Sequence, residues 1–212
     1  MAISDMRRQY SMGTLTNKAL TDNPLDLFKQ WLDEAIAADI PDPTAMTVAT
    51  VDASGQPSQR IVLLKELTAE GFVFYTNFGS RKAQDLAGNA QVSLHFPWFF
   101  MERQISVRGR AEKLPATHNA AYFFSRPLDS QLAAYASRQS QPIENKEALL
   151  ARFAQLKQQY KEGELPAPEF WGGFLVKPSQ IEFWQGGKDR LHDRFEYSLD
   201  DEHGWNAQRL MP

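Results

Sequence analysis

The sequence contains no cysteine among its 212 residues. That absence excludes disulfide scaffolds, thiolate zinc sites, iron–sulfur clusters and cysteine nucleophiles. Histidine is scarce as well: the four present include no pair at a metal-ligand spacing such as H-x-x-x-H, so we expect no metal centre. An excess of one charge is also missing, since 23 basic residues face 26 acidic ones and the formal net charge is −3. This balance argues against a general binder of nucleic acids or other polyanions.

Long apolar runs are lacking too. The N-terminal sequence MAISDMRRQYSMGTL is too polar to contain the apolar core of a signal peptide. The most apolar stretches, IVLL at 61–64 and FPWFFM at 96–101, are far too short to span a bilayer. We therefore expect a soluble, cytoplasmic protein that does not associate with membranes.

The first half of the chain changes from a helical to an extended pattern. Apolar residues at helical spacing follow Asn23 and Pro24, a pair typical of a helix start, and predict a helix over 24–38. Five segments rich in β-branched and aromatic residues then predict strands: AMTVATV, QRIVLL, GFVFYT, QVSLHF and RQISVRGRAEKL. The turn sequences DASGQ at 52–56 and LTAEG at 67–71 predict hairpin connections.

The second half begins with helical segments and returns to strands. We predict short helices at 116–125 and 128–138, and a longer helix in ENKEALLARFAQLKQQYKEG that ends at Gly163. The segments GGFLVKP, QIEFWQG, DRFEYSL and WNAQRL then predict strands. Strands in close succession favour antiparallel pairing in a barrel or a sandwich, and helices on one side make the predicted fold α+β.

The domain organisation is expected to be simple. Residues 1–22 carry Arg7, Arg8 and Lys18 without any hydrophobic period, which predicts a mobile N-terminal arm. Residues 23–212 then form a single domain that includes the helical segment 115–163.

Basic side chains flank two of the predicted strands. Arg60 and Lys65 begin and end the strand RIVLLK, while Arg81 and Lys82 open a helix whose predicted cap is Ser80. Basic groups at a helix start oppose the helix dipole, a cost that a bound phosphate offsets. Because side chains alternate along a strand, positions 60 and 65 serve one ligand only if a twist or bulge lies between them. A phosphate site and ordinary solvated charges at strand ends explain these residues equally well.

A second basic group is Tyr122, Arg126 and Ser130, spaced by four across a helix break. An arginine with hydroxyls on either side forms a reasonable phosphate clamp. On spacing alone, a surface arginine beside a core tyrosine explains the pattern at least as well.

The third group lies in WQGGKDRLHDRF at 184–195. On a strand, Arg190, His192 and Arg194 would all face one side. Three potential cations on one face repel each other unless something anionic or electron-rich lies opposite, so this segment predicts a ring-shaped anionic ligand. Asp42, between two prolines, is more typical of a turn residue than of a catalyst, and the aromatic cluster at 97–100 is more typical of core or subunit contact.

These segments resemble the pyridoxine/pyridoxamine 5′-phosphate oxidase family, a group of FMN enzymes. The resemblance covers nearly the whole chain, in order and with close spacing. It is carried by RRQY at 7–10, DPTAM at 42–46, QRIVLLK at 59–65, FYTNFGSRKA at 74–83, FPW at 96–98, ERQ at 102–104, YFFSRPLDSQ at 122–131, RQS at 138–140, FWGGF at 170–174, IEFWQGGKDRLHDRF at 181–195 and the final RLMP. It implies a homodimer of FMN-binding split barrels with two FMN sites at the subunit interface.

The resemblance also implies roles for individual residues. The flavin would be lined by Arg60, Ile61, Val62, Leu63, Leu64, Lys65, Tyr75, Thr76, Arg81, Lys82, Gln104, Gln139, Ser140, Trp184 and Arg194. The substrate phosphate would be held by Lys65, Tyr122, Arg126 and Ser130, and its pyridine ring by Arg190, Leu191 and His192. The arm that folds over the substrate would be Arg7, Arg8, Gln9 and Tyr10, with Asp42 close by. The catalytic set implied in this way is Arg190, His192, Asp42, Arg7 and Tyr10. The arm departs from the family pattern at Gln9, where a glutamate is usual.

The implied reaction is the oxidation of pyridoxine 5′-phosphate and pyridoxamine 5′-phosphate to pyridoxal 5′-phosphate in vitamin B6 metabolism. Hydride would pass from the substrate's exocyclic carbon to flavin N5, and O2 would reoxidise the flavin and give H2O2. Three alternatives stay open at this point. A flavin reductase or deazaflavin-dependent split barrel should lack both Tyr122/Arg126/Ser130 and RLHDRF, and a non-catalytic carrier of FMN or pyridoxal phosphate would share the binding residues. A nucleic-acid-binding barrel is disfavoured by the acidic balance.

Overall fold

The computed structural model describes residues 2–161, 165–200, 202 and 204–212. Within them the chain forms α-helices and an antiparallel β-sheet, as the α+β prediction requires. The helices are α1 (Pro24–Ala37), α2 (Arg81–Gly88), α3 (Ala116–Ser125), α4 (Leu128–Ala136) and α5 (Lys146–Gln159). The strands are β1 (Ala45–Val51), β2 (Pro57–Leu63), β3 (Glu66–Thr68), β4 (Gly71–Asn77), β5 (Gln91–Trp98), β6 (Arg103–Lys113), β7 (Trp171–Gln185), β8 (Asp193–Asp200) and β9 (Gly204–Leu210).

Helix α1 begins where the sequence predicts. The Asn23 side chain accepts a hydrogen bond from the backbone N–H of Leu25 at 3.0 Å, and Pro24 occupies the first helical position. The apolar face of the helix, including Phe28 and Trp31, is buried against the sheet. Phe28 makes edge-to-face contacts with Phe72 and Phe96, each with ring centroids 4.8 Å apart. This packing places α1 in the main core.

The long strand β7 organises the sheet, whose main path runs β2-β1-β5-β6-β7-β4-β3. Its first half pairs with β4 and its second half with β8, while β6 pairs along most of its length. The sequence predicts two strands here, but the chain stays extended through Pro178. The register against β6 shifts at this point: Arg108 pairs with Gln180 and Gly109 pairs with Pro178, so the extra residue, Ser179, lies in β7 itself, next to the proline.

The link between β2 and β3 joins the two edges of the sheet. The Leu64 N–H donates to the Thr44 carbonyl on the β1 side at 2.8 Å, and the Lys65 N–H donates to the Val73 carbonyl of β4 at 2.9 Å. Leu64 and Lys65 therefore bond to the start of β1 and to β4, which lie next to the two ends of the sheet path, β2 and β3. Strand β2 ends at Leu63, so Arg60 lies within the strand and Lys65 lies beyond its end. That the two residues serve one ligand stays a prediction.

The helical part forms a second, smaller cluster beside the barrel. Phe123 of α3 and Leu132 of α4 are buried together with Leu165 and Trp171, the first residue of β7. Helix α4 ends at Ala136 rather than 138, and α5 ends at Gln159. Gly163, the predicted end of that helix, lies outside the described residues. No helix in the described ranges is long and apolar enough to cross a membrane.

The N-terminal segment divides near Tyr10. Residues 2–9 are exposed, whereas Leu15 is 2% exposed and belongs to the main core. The Tyr197 hydroxyl accepts from the Thr21 N–H at 3.2 Å and donates to the Thr21 carbonyl at 3.0 Å. The packed part of the chain therefore begins well before residue 22, and the segment left for the predicted arm ends at Tyr10. Closure of that segment over a substrate stays a prediction.

Candidate functional site

The first part of the candidate site is a cavity of about 820 Å³, which we call the basic cavity. It lies between β2, the start of α2 and the loop after α4. Residues of the predicted cofactor set line it together: Arg60, Ile61, Arg81, Lys82, Gln139 and Ser140. Its volume is in the range of ordinary cofactor pockets.

Arg60 is held in place by polar groups that the sequence did not point to. Its guanidinium donates to the Thr50 hydroxyl at 2.7 Å and to the Ser58 hydroxyl at 2.8 Å. Both hydroxyls in turn contact the buried carboxylate of Asp85, which lies 3.8 Å from Arg60. Burial lowers the pKa of Arg60, Asp85 opposes that shift, and nearby Arg81 adds to it.

Lys82 is buried at the same cavity. Its ammonium donates to the Thr76 hydroxyl at 3.0 Å and to the Gln139 side-chain carbonyl at 2.9 Å. Burial, with a contribution from the charge of Arg60, lowers the pKa of Lys82 to about 8. Burial is the larger cause of this shift, and the ammonium has only neutral partners among the described residues, so an anionic ligand would stabilise its charged form.

The start of α2 faces this cavity through Arg81 and Lys82. Ser80 occupies the predicted cap position, but its hydroxyl makes no capping hydrogen bond and instead lies 3.4 Å from that of Thr76. The first backbone N–H groups of α2 are thus left without a side-chain cap. A helix start in this state, carrying two cations, suits a phosphate group.

The second part of the site is a stack of aromatic rings beside Arg126. Tyr75 stacks on Tyr122 with centroids 3.8 Å apart, and on Trp171 at 5.3 Å. The Arg126 guanidinium carbon lies 4.5 Å from the centre of the Trp171 ring, a cation–π contact. Burial lowers the pKa of Arg126, and burial raises the pKa of Tyr122 and raises that of Tyr75 to about 12.

One nitrogen of Arg126 has no protein partner. Its Nη1 atom is buried and forms no hydrogen bond with any described residue. Leaving a buried charged donor unpaired costs free energy, so the arrangement is suited to a ligand anion that completes it. Lys65 is exposed and follows β2, and half-buried Ser130 lies in the first turn of α4. Within the described residues, Tyr122 and Arg126 both lie against Trp171 and interact electrostatically, but neither directly contacts Lys65 or Ser130.

The third part, which we call the ring corner, consists of Tyr10, Trp184 and His192. Trp184 and His192 have ring centroids 4.6 Å apart, and the Tyr10 ring lies 5.6 Å and 5.4 Å from them. The His192 Nδ1 atom accepts a hydrogen bond from the Gly187 N–H at 3.1 Å, which leaves the proton of the neutral ring on Nε2. Burial and the charge of Arg190 lower the pKa of His192, so the ring is neutral at pH 7.

The prediction that Arg190, His192 and Arg194 share one strand face is wrong. Residues 188–190 form a 3₁₀ turn in which Asp189 and Arg190 have φ of 54° and 64°, and β8 begins only at Asp193. Positive φ at two consecutive residues breaks the extended conformation on which the prediction depended. Arg194 is also neutralised, since Glu182 accepts from its Nε and Nη2 atoms at 2.8 and 3.0 Å.

The arm residues lie near the ring corner. Arg8 donates to the Phe99 carbonyl at 2.9 Å and sits 5.2 Å from the Tyr10 ring, while Gln9 accepts from the Asp189 N–H at 3.4 Å. Among the described residues, Arg7 bonds only locally, to the Ser4 carbonyl. Asp42 is exposed with φ of 47°, in a turn closed by the Ala45 N–H, as its flanking prolines indicate.

The predicted cofactor residues therefore fall into two sets within one chain. One set surrounds the basic cavity. The other lies on adjacent strands, where Gln104 pairs with Trp184 and Trp184 pairs with Arg194. Along the predicted flavin-lining segment 61–64, Ile61 and Leu63 are exposed, Val62 is half-buried, and the side chain of Leu64 belongs to the core.

Sequence reasoning missed several supporting residues. Arg60 is oriented by Thr50, Ser58 and Asp85, and Arg126 is stacked over the ring of Trp171. The only available signal was that Asp85 lies three and four residues after Lys82 and Arg81, but nothing in that spacing predicts its contact with Thr50.

Comparison with known proteins assigns the family. The family model described as pyridoxamine 5′-phosphate oxidase matches residues 32–160, and the model described as the pyridoxine 5′-phosphate oxidase C-terminal dimerisation region matches 171–212. Among curated proteins, the pyridoxine/pyridoxamine 5′-phosphate oxidase of Alteromonas mediterranea is 65% identical over 212 residues, and that of Teredinibacter turnerae is 56% identical. Each match covers the whole of both chains.

Solved structures support the fold. PhzG from Burkholderia lata, in complex with tetrahydrophenazine-1-carboxylic acid, superimposes with a TM-score of 0.87 at 30% identity, covering 94% of this chain and 98% of its own. A pyridoxamine 5′-phosphate oxidase-related, FMN-binding protein from Nostoc punctiforme gives a TM-score of 0.72 at 14% identity, over 91% and 100% of the two chains. The predicted α+β split barrel is thereby confirmed. The chain belongs to the pyridoxine/pyridoxamine 5′-phosphate oxidase family.

Proposed function

We propose that the protein oxidises pyridoxine 5′-phosphate and pyridoxamine 5′-phosphate to pyridoxal 5′-phosphate, with FMN as its cofactor. The observation that carries the proposal is the presence of two separate cations, buried Lys82 and half-buried Arg126, that have no carboxylate partner within the described residues. Two uncompensated cations in different places suit two phosphorylated ligands, a cofactor and a substrate.

The basic cavity fits the cofactor phosphate. Arg60, Arg81, Lys82 and the uncapped start of α2 supply several donors and an excess of positive charge. Ile61 is 74% exposed at the same cavity and offers an apolar surface for a flat ring. FMN held there would supply the redox chemistry, namely acceptance of a hydride and transfer of two electrons to O2 to give H2O2.

Arg126 is the residue we assign to the substrate phosphate. Its stacking on Trp171 fixes the guanidinium plane, and its free Nη1 donor is available to a phosphate oxygen. The Tyr122 hydroxyl, on the preceding turn of the chain, is the second donor, with Lys65 and Ser130 completing the set.

The ring corner is assigned to the pyridine ring of the substrate. Neutral His192 presents an Nε2–H donor, Arg190 presents a charge on an exposed turn, and Tyr10 with Trp184 provides aromatic walls. Their contribution is to orient the exocyclic carbon of the substrate and to exclude water. Leu191 and the arm residues Arg7, Arg8 and Gln9 border the same place, and Asp42 is assigned there by family resemblance alone.

A single chain holds the basic cavity and the ring corner as separate places, so we propose that each active site is completed across a homodimer. The ring corner residues lie in the segment that matches the family's dimerisation region, apart from Tyr10. Gln104, Trp184 and Arg194 of one subunit would then face the basic cavity of the other.

An anaerobic titration tests the proposal. The protein is reconstituted with FMN, pyridoxine 5′-phosphate is added without oxygen, and the visible flavin band is followed. Bleaching, with colour and peroxide returning in air, is the expected result. A yellow protein that bleaches with neither phosphorylated substrate would overturn the substrate assignment. A protein that takes up no FMN would overturn the whole proposal.

A variant tests the ring corner separately. Arg190→Ala is expected to depress turnover strongly while FMN stays bound, because the substrate ring loses its charged contact. Turnover at the parent rate would show that Arg190 has been misassigned.

A further inference from the structure

Glu102 has an unusual conformation for its residue type. It lies in the turn between β5 and β6, it is 7% exposed, and its φ is 53°. A side chain with a Cβ is uncommon in this left-handed region, where glycine is preferred. A glutamate kept there, with a carboxylate buried, needs a compensating interaction.

The carboxylate holds the base of the N-terminal arm. Its Oε2 atom accepts hydrogen bonds from the backbone N–H groups of Ser11 at 2.7 Å and Met12 at 3.0 Å. Both donors are in the two residues that directly follow Tyr10. Hydrogen bonds to an ionised acceptor are about twice as strong as neutral ones, so this contact is a firm attachment point.

The main chain of the same residue holds the end of β7. The Glu102 carbonyl accepts from the Gly186 N–H at 2.7 Å and from the side-chain amide of Gln185, which is fully buried, at 3.2 Å. Gly186 is where the Tyr10 ring rests, since a Cβ placed on it would come within 2.8 Å of that ring. Glu102 therefore holds both segments that meet at Tyr10, namely the base of the arm at Ser11 and Met12 and the end of β7 at Gly186.

We propose that Glu102 is a positioning residue for the substrate site. Through its carboxylate it fixes the arm at Ser11 and Met12, and through its carbonyl it fixes Gly186. The ring of Tyr10 is thereby seated against Trp184 and His192. The inference rests on the proposed function in one respect, namely that the ring corner receives the substrate ring.

Three variants separate positioning from simple stability. Glu102→Gly removes the carboxylate and suits the left-handed backbone, so any loss cannot be ascribed to backbone strain. Glu102→Gln keeps a neutral acceptor at the same reach and should rescue part of the effect. Glu112→Gln is the matched control. Glu112 lies near the other end of β6, and its exposed carboxylate pairs with Lys177 of β7.

Hydrogen exchange of the FMN-loaded protein reads the attachment directly. Backbone amides of Ser11 and Met12 should exchange at least about tenfold faster in Glu102→Gly than in the parent, with Glu102→Gln in between. In parallel, KM for pyridoxine 5′-phosphate should rise by about tenfold while the FMN dissociation constant stays within about twofold. The control should match the parent in all three measurements.

A double variant tests the route through Tyr10. Tyr10→Ala should raise KM by itself, and adding Glu102→Gly should raise it no further, because both changes remove the same contact. Additive effects would overturn the proposal. So would parental exchange at Ser11 and Met12 in Glu102→Gly, or a loss of FMN affinity with KM unchanged. A parent that shows no oxidase activity would refute the proposed function instead, while the exchange measurement would still decide whether Glu102 anchors the arm.

Discussion

At the scale of single residues, the site is defined by cations in unfavourable surroundings. Lys82 is buried and Arg126 is half-buried, and burial lowers the pKa of each. Removing these charges from water costs free energy, and no carboxylate among the described residues pairs with either of them. An anionic ligand would offset that cost. The same reasoning makes their behaviour on titration and substitution predictable.

Lys82 predicts how cofactor affinity depends on pH. Below about pH 8 its ammonium is charged and attracts a phosphate, and above that pH it loses its proton, so affinity should fall as pH rises. Fluorescence titration of the apoprotein with FMN from pH 7 to 9.5 should show a decline that approaches tenfold per pH unit at its steepest. Lys82→Met should bind weakly and without this decline, whereas Lys29→Met, which removes an exposed ion pair with Asp33, should keep it. A parent affinity that is constant across the range contradicts the assignment.

Arg126 predicts selectivity for phosphorylated substrates. Arg126→Ala should raise KM for pyridoxine 5′-phosphate by about 10- to 100-fold, the value of one charge-assisted contact, with little change in FMN affinity. Arg126→Lys should rescue little, because lysine lacks the planar fork that stacks on Trp171. Steady-state kinetics measures both, with Arg152→Ala on exposed α5 as the control. An unchanged KM would place the phosphate elsewhere.

At the scale of elements, the decisive piece is the turn at 186–192 between β7 and β8. Its shape depends on Gly187, because a Cβ there would overlap the Leu191 carbonyl oxygen. In the same turn, Asp189 and Arg190 have positive φ, and the Gly187 N–H donates a hydrogen bond to His192 Nδ1. One steric requirement therefore sets the positions of Arg190, Leu191 and His192.

Gly187→Ala should consequently impair catalysis more than folding. The added methyl group forces Leu191 and His192 to move, and turnover should fall at least about tenfold, as expected when reacting groups shift by about 1 Å. The melting temperature should change little, since the turn lies outside the core. Gly88→Ala, where a Cβ meets open space at the end of α2, is the matched control and should keep full activity. Parental turnover in Gly187→Ala would show that the turn tolerates displacement.

At the scale of the whole molecule, the two sets of cofactor residues lead us to propose that a second copy of the chain completes each site. The basic cavity lies between β2, α2 and the loop after α4, whereas the ring corner lies at the far end of β7. The family match over 171–212 is to a dimerisation region, which indicates a homodimer of two 24.1 kDa chains. A closed two-fold dimer would contain two equivalent sites.

Complementation between variants tests that arrangement. Lys82→Met and Arg190→Ala affect different sets, so each homodimer should be nearly inactive. A heterodimer purified by two different affinity tags should recover about half of the parent activity, because one of its two shared sites is then intact. If each site were built within one chain, the heterodimer would stay inactive.

Much of the fold was predictable from local pattern. The start of α1 depends on neighbours in sequence, Asn23 and Pro24, and the strands follow from alternation of apolar and polar residues. These features depend on interactions between residues close together in the chain, which a sequence displays directly.

The sequence by itself determined the fold class, most of the helices and strands, and the basic residues that mark the site. Only the tertiary structure decided how those residues are held. Asp85 and Thr50 are 35 positions apart in the sequence, and Glu102 and Ser11 are 91 positions apart. Neither contact produces a periodic pattern of residues that sequence analysis could detect. The turn at Arg190 was mispredicted as strand for the same reason: its shape is set by the close approach of Gly187 and Leu191. Contacts of this kind form between segments that are far apart in the sequence, and the packing of the whole barrel decides which of those segments meet.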